Sequence, residues 1–111
     1  MQSTALTDLA TRLLDEARTA HSGRSAHTLH GSHEHHLRQT VIALAAGRHL
    51  AEHNSPGEST LQVLTGRVTV KSATQSWTGG TGDHVIVTRE RHELLADEDS
   101  AVLLTVVVPR G

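Results

Sequence analysis

The stretch GRHLAEHNSPGESTLQVLTG, Gly47 to Gly66, sets His49 and His53 before a turn and a strand. Such an arrangement brings side chains of two strands toward a shared point. Imidazole binds Zn, Fe, Mn, Co or Ni through one nitrogen, so His53 raises metal chemistry first. A divalent metal on three protein ligands, with a position left open, activates water or dioxygen. Two histidines alone hold such an ion poorly, and the rest of the shell has several candidate sources. His49 shares parity with His53 if HLAEH is extended. Gln39 and Gln62 carry amide oxygens on neighbouring predicted strands, Gln62 out of phase with position 59. Glu58 points outward on a regular strand unless the Pro56-Gly57 turn shifts the register. Ser59 and Thr60 are poor ligands while neutral. HGSHEHH, His30 to His36, reads either as a flap donating a ligand over the site or, more plainly, as a solvated connection.

Ten histidines among 111 residues is a marked excess. They serve metal binding or proton chemistry near neutrality, although a GC-rich source also scatters histidine over harmless surface positions. There is no cysteine, which excludes disulfides and thiolate metal sites. The formal charge is −2 with no basic patch, which argues against a nucleic-acid backbone as partner. Trp77 is the only aromatic residue, so base-stacking platforms are lacking too. It reads as a core or interface anchor, or as a wall of a ligand pocket. No apolar run suggests a signal peptide or a membrane span, and a cytoplasmic protein is the expectation. No Ser-His-Asp arrangement with a nucleophile elbow is visible.

These side chains must be placed by a framework of Leu, Val, Ile and Ala. Leu6, Leu9, Ala10, Leu13, Leu14 and Ala17 make the stripe of one amphipathic helix within residues 3–20, with Ser3 or Thr4 as cap and Asp8 in an early turn. After Gly23 the period falls to about two. Strands are expected at SAHTLH, LRQTVIAL, HLAEH, TLQVLTG, RVTVKS, QSWTG, HVIVT, HELLA and AVLLTVVV, with glycine-rich turns between them. This is an all-β pattern, an antiparallel sandwich or barrel with one N-terminal helix. VIAL and AVLLTVVV are apolar on both faces, so their outer face is expected to meet a second sheet or a subunit. Arg89, Glu90 and Arg91 read as a solvated charged turn.

Gly47 to Gly66 and Gly82 to Asp97 resemble the two motifs of the cupin superfamily, and with the strands around them the resemblance runs from Leu37 to Val108. The first motif is Gly, five residues, His-x-His, three or four residues, Glu, six residues, Gly. Gly47, His53, Ser55, Ser59 and Gly66 keep that spacing, with serines where the second His and the Glu stand in the family. The family's later histidine falls on Glu93 by rigid counting and on His92 if one turn is a residue shorter. His92 is preferred, because its parity matches Leu94 and Ala96, whereas Glu93 shares a face with Asp97.

The resemblance implies a cupin-type antiparallel β-barrel (a jelly roll) over residues 23–111, with residues 1–22 as a helix packing on the barrel or on a partner. It implies a small molecule as ligand, and His53 and His92 as ligands of one divalent metal such as Zn, Fe, Mn or Ni. Ser55 and Ser59 stand as further pocket positions. The loss of two ligand types leaves a second reading open, a metal-free binding or sensory cupin. A third, a purely structural module, would have an interior filled by Leu and Val. The apolar outer faces suggest a homodimer. The family holds dioxygenases, isomerases, cyclases and decarboxylases, so the resemblance selects no reaction.

Overall fold

The computed structural model describes residues 1–53 and 57–109, and for residues 52 and 53 the backbone alone. The apolar stripe forms helix α1, Leu6–Thr19, burying Leu9, Ala10, Leu13, Leu14 and Ala17. Its cap differs from expectation. Ala5 is the N-cap residue and no side chain caps the end, so neither Ser3 nor Thr4 takes that part. Asp8 does lie in the first turn, where the helix dipole favours an anion. No helix among the described residues is long and apolar enough to cross a membrane.

Nine strands follow: β1 Arg24–His30, β2 Leu37–Leu44, β3 His49–His53, β4 Ser59–Thr65, β5 Arg67–Ser72, β6 Ser76–Gly80, β7 His84–Val87, β8 His92–Ala96 and β9 Ser100–Val107. They form two antiparallel sheets, ordered β1-β2-β9-β4-β7 and β3-β8-β5-β6. The sheets face each other as a jelly-roll sandwich. Gly66, with φ of +94°, makes the tight turn by which the chain passes from β4 of the larger sheet to β5 of the smaller one. A Cβ there would also run into Ser100 and the Asp99 carbonyl.

Strand parity divides the core in two. Leu44, Leu61, Val63, Val68, Val70, Val87, Leu94, Ala96 and Val102 fill the space between the sheets. Val41, Ala43 and Ala101, on the opposite face of the larger sheet, pack under the buried stripe of α1, with Leu29, Leu64 and Leu103 at the margin. The outer faces of β2 and β9 therefore meet the chain's own helix, where a second sheet or a subunit was expected. A helix with a wide apolar stripe covers a flat apolar sheet face, and both lose water contact together.

One ion pair fixes the end of the helix. Arg18 Nε donates to Asp99 Oδ2 at 2.7 Å, and the Ala46 N–H donates to Asp99 Oδ1 at 2.8 Å. The Arg18 hydrogen bond, with the Ala46 N–H behind it, holds the Asp99 carboxyl below its ordinary range.

Candidate functional site

Between the sheets the buried polar residues sit at the two ends, Ser100 at one, bonded to the Arg67 backbone, and Ser59 and His92 at the other. The end with Ser59 and His92, the polar end, is where β7 finishes at Val87 and β8 begins at His92. On the larger sheet Ser59 is opposite Val106 of β9 and Val87 of β7. Ser59 is only 4 % exposed and shares parity with buried Leu61 and Val63, so it lies on the inner face. On the smaller sheet His92 is 6 % exposed. It is opposite Ser72 of β5 and His53 of β3. His92 and Ser59 are two of the three buried polar residues among those described.

His92 is positioned by the connection that precedes it. Its Nδ1 lies 2.9 Å from the Glu90 carbonyl oxygen. A carbonyl only accepts, so Nδ1 is the donor in this contact. The Glu90 carboxylate fixes that carbonyl in turn. Its Oε1 accepts from Thr74 Oγ1 at 2.5 Å, Ser72 Oγ at 3.2 Å, Gln75 Nε2 at 3.4 Å and Thr88 Oγ1 at 3.4 Å. The Thr74 hydroxyl, with the other donors, lowers the Glu90 pKa below its ordinary value. Glu90 is thus half-buried and hydrogen-bonded to the 72–75 turn, which corrects the reading of residues 89–91 as a solvated turn. Arg89 and Arg91 are exposed as expected.

The other candidates lie elsewhere. His49 is exposed, opposite Leu95 on the outer side of the smaller sheet. The β3–β8 register shifts between Leu50 and His53, and a bulge of that kind breaks the two-residue alternation on which the expected parity of His49 rested. Gln39 shares the helix-side face with Val41 and Ala43, and its Nε2 donates to Thr105 Oγ1 at 3.2 Å. It is therefore not available to the interior. Gln62 is exposed on the outer face opposite His84. Glu58 is exposed too, and its backbone carbonyl accepts from Val107. Ser55 lies outside the described residues, and for His53 the register position alone is described. Glu93 stands opposite Lys71, on the face away from His92.

The interior beyond this polar end is full. Ile42, Leu50, Leu61, Val70, Val87, Leu94 and Leu104 close beneath His92 and leave a cavity of about 20 Å³, room for about one water. The barrel pocket expected for a ligand is narrow beneath His92, and an interior filled by Leu and Val is the feature that the structural-module reading expected. Trp77 is half-buried against this core and lines a slot of about 50 Å³ between β6 and β7. It also packs over Gly79, where a Cβ would collide with its ring. No group of three or more His, Cys, Asp or Glu among the described residues could hold a metal ion. The residues of HGSHEHH, apart from half-buried Gly31, are exposed, with the His30 and His35 rings stacked at 4.4 Å.

Two facing antiparallel sheets in this strand order, with Ser59 and His92 at one end, define the cupin fold. The comparisons with solved structures agree. An RmlC-like cupin from Desulfovibrio desulfuricans superposes with a TM-score of 0.75 at 22 % identity, covering 96 % of this chain and 96 % of that one. A conserved protein of unknown function from Streptococcus pyogenes gives 0.72 at 25 % identity, covering 83 % and 80 %. The salicylate 1,2-dioxygenase of Pseudoaminobacter salicylatoxidans gives 0.73 at 21 % identity, covering 90 % of this chain but 34 % of that chain. Neither a family model nor a curated protein matches the sequence.

Proposed function

We propose that this chain is a small-molecule-binding cupin that works without a resident metal, taking its ligand at the polar end of the sandwich. The observation that carries the reading is the buried His92 imidazole, set in one tautomer by the Glu90 carbonyl and placed at the same end as buried Ser59. An imidazole held in one orientation and a buried hydroxyl at the same end are the kind of few, well-placed polar groups that orient a ligand over an apolar floor. The donor set argues against a metal. Of the residues that might have completed a shell with His53 and His92, His49, Gln62 and Glu58 are exposed and Gln39 faces the helix. The hydroxyl of Ser59 is a weak ligand for a divalent ion. Among the described residues no paired carboxylates line the interior, so the reading assigns binding and no bond-making step.

A second reading keeps one divalent metal, Zn, Fe, Mn or Ni, on His53 and His92. It is favoured by the Nδ1–carbonyl hydrogen bond, the contact that orients metal-bound imidazoles, and by the register that sets His53 opposite His92. Elemental analysis of protein purified without a polyhistidine tag separates the two. The first reading expects substoichiometric metal, unchanged by His53→Ala or His92→Ala. Metal near one per chain, lost in both variants, would establish the second in its place. A fragment screen by NMR then tests binding itself: hits that perturb His92, and vanish in His92→Ala, are the expected result.

We also propose a second copy of the chain as partner, joined through the part of the larger sheet's outer face that α1 leaves open. Ile86 is 79 % exposed there, with Val107 beside the same groove.

A further inference from the structure

Arg38 lies on the inner face of β2, in phase with Ile42 and Leu44, which pack against the core between the sheets. The β2–β9 ladder has no register shift, so this parity holds along the whole strand. Arg38 is opposite Val106, and Val106 is opposite Ser59. One cross-strand row therefore runs from Arg38 to Ser59, at the end of the sandwich where His92 begins β8. Adjacent strands are ~4.8 Å apart, which puts the two backbones roughly 10 Å apart.

One N–H of this guanidinium is unmatched. Arg38 is half-buried, and its Nε is shielded from solvent without a hydrogen-bond partner. The ion pairs among the described residues are Arg12–Glu16, Arg18–Asp15 and Arg18–Asp99, so no carboxylate of the described residues pairs with Arg38. Its stem is held against Gly31, where a Cβ would lie 2.7 Å from Arg38 Cγ and 3.0 Å from Cβ. Gly31 has a φ of +125°, a conformation that favours glycine. Folding thus orders a cation and shields one of its N–H groups without supplying an acceptor, an arrangement that disfavours the protein alone.

We propose that Arg38 is the anchor for an anionic ligand, a small organic carboxylate whose other end reaches toward Ser59 and His92. The guanidinium offers a carboxylate two parallel N–H donors. The spacing from Arg38 to Ser59 suits a molecule of a few carbon atoms beyond the carboxylate. The inference rests on the small-molecule reading above and narrows it to one charge class.

The test uses the full, untagged chain and three matched pairs: acetate with acetamide, benzoate with benzamide, and succinate with succinamide. Each is titrated while the Arg38 Nε–H and His92 ring resonances are followed by NMR. The expected result is saturable movement of both signals with at least one carboxylate, and none with its amide. Arg38→Gln should weaken that carboxylate at least tenfold. Amides binding as well as their carboxylates, or a carboxylate affinity unchanged in Arg38→Gln, would overturn the anion anchor and leave the small-molecule reading in place. If none of the six compounds moves either signal, both fall. The paired comparison is made on the natural chain, so it decides the matter even if Arg38→Gln does not fold.

Discussion

His92 Nδ1 and the Glu90 carbonyl oxygen are 2.9 Å apart, and this contact decides which nitrogen of the imidazole faces its surroundings as an acceptor. The neutral ring must carry its proton on Nδ1. Long-range nitrogen–proton correlation spectra of labelled protein at neutral pH should show His92 as the Nδ1–H tautomer. A dominant Nε2–H form would break the account of how the site is oriented. His49, exposed at the other end of β3, supplies an internal comparison from a ring that no such carbonyl constrains.

Glu90 should make that site pH-dependent in a defined direction. Its carboxylate, held by the Thr74 hydroxyl and three further donors, has a pKa below the ordinary 4.5. A depressed folded-state pKa contributes stability that is fully present above the unfolded value and is lost as pH falls through the folded one. Urea midpoints of the natural chain and of Glu90→Gln should therefore differ at neutral pH, with the gap shrinking as pH falls below the ordinary 4.5. A gap that stays constant from pH 7 to pH 3 would show that the carboxylate's charge plays no part. The same variant should broaden the His92 resonances, because the carbonyl that fixes the ring belongs to the loosened connection.

Much of this framework is legible in the residues. LRQTVIAL, HLAEH, RVTVKS and HELLA coincide with β2, β3, β5 and β8, because period-two alternation and flanking glycines are local properties of the chain. Parity also identifies the inward side of β8, where Leu94 and Ala96 are buried with His92. It fails for His49, since the shift between Leu50 and His53 is a property of the pairing with β8 and leaves no mark in the five residues themselves. The bonding of Glu90 was equally hidden. Its donors come from a turn fifteen to eighteen positions upstream and from Thr88, and a charged residue between two arginines looks solvated until that turn is folded against it. The doubly apolar β9 did signal a covered outer face, but composition alone does not distinguish α1 of the same chain from another sheet.

The helix should contribute to stability chiefly through its buried stripe. Leu13 is 2 % exposed between α1 and the sheet, and Leu13→Ala should cost about 2–5 kcal/mol, as core truncations of leucine do. Arg18→Ala removes the contacts to Asp99 and Asp15, which are exposed to solvent, and exposed pairs contribute little. Chemical denaturation of the two variants should give a large loss for the first and a much smaller one for the second. Equal losses would mean that the ion pair, and not the apolar stripe, docks the helix.

The open part of the larger sheet's outer face leads to the last prediction. Its groove, about 450 Å³, is lined by Thr60, Ile86, Val87, Thr105 and Val107, with Glu58 and Arg89 among its walls and the buried Ser59 at its margin. Among the described residues neither Glu58 nor Arg89 belongs to an ion pair. A patch with an apolar centre, one acid and one base is complementary to its own copy turned about a two-fold axis, since Glu58 of each chain can then meet Arg89 of the other. Sedimentation velocity at micromolar concentration should find a dimer for the natural chain and a monomer for Ile86→Asp, which sets a charge at the centre of the contact. Glu58→Arg or Arg89→Glu alone should weaken the dimer by placing like charges together, and the two combined should restore it. A natural chain that sediments as a monomer would refute the assignment, as would a dimer that survives Ile86→Asp. Because Ile86 is so exposed in the single chain, Ile86→Asp should keep the fold and the Arg38 and His92 signals, so a change in assembly will not be confused with unfolding.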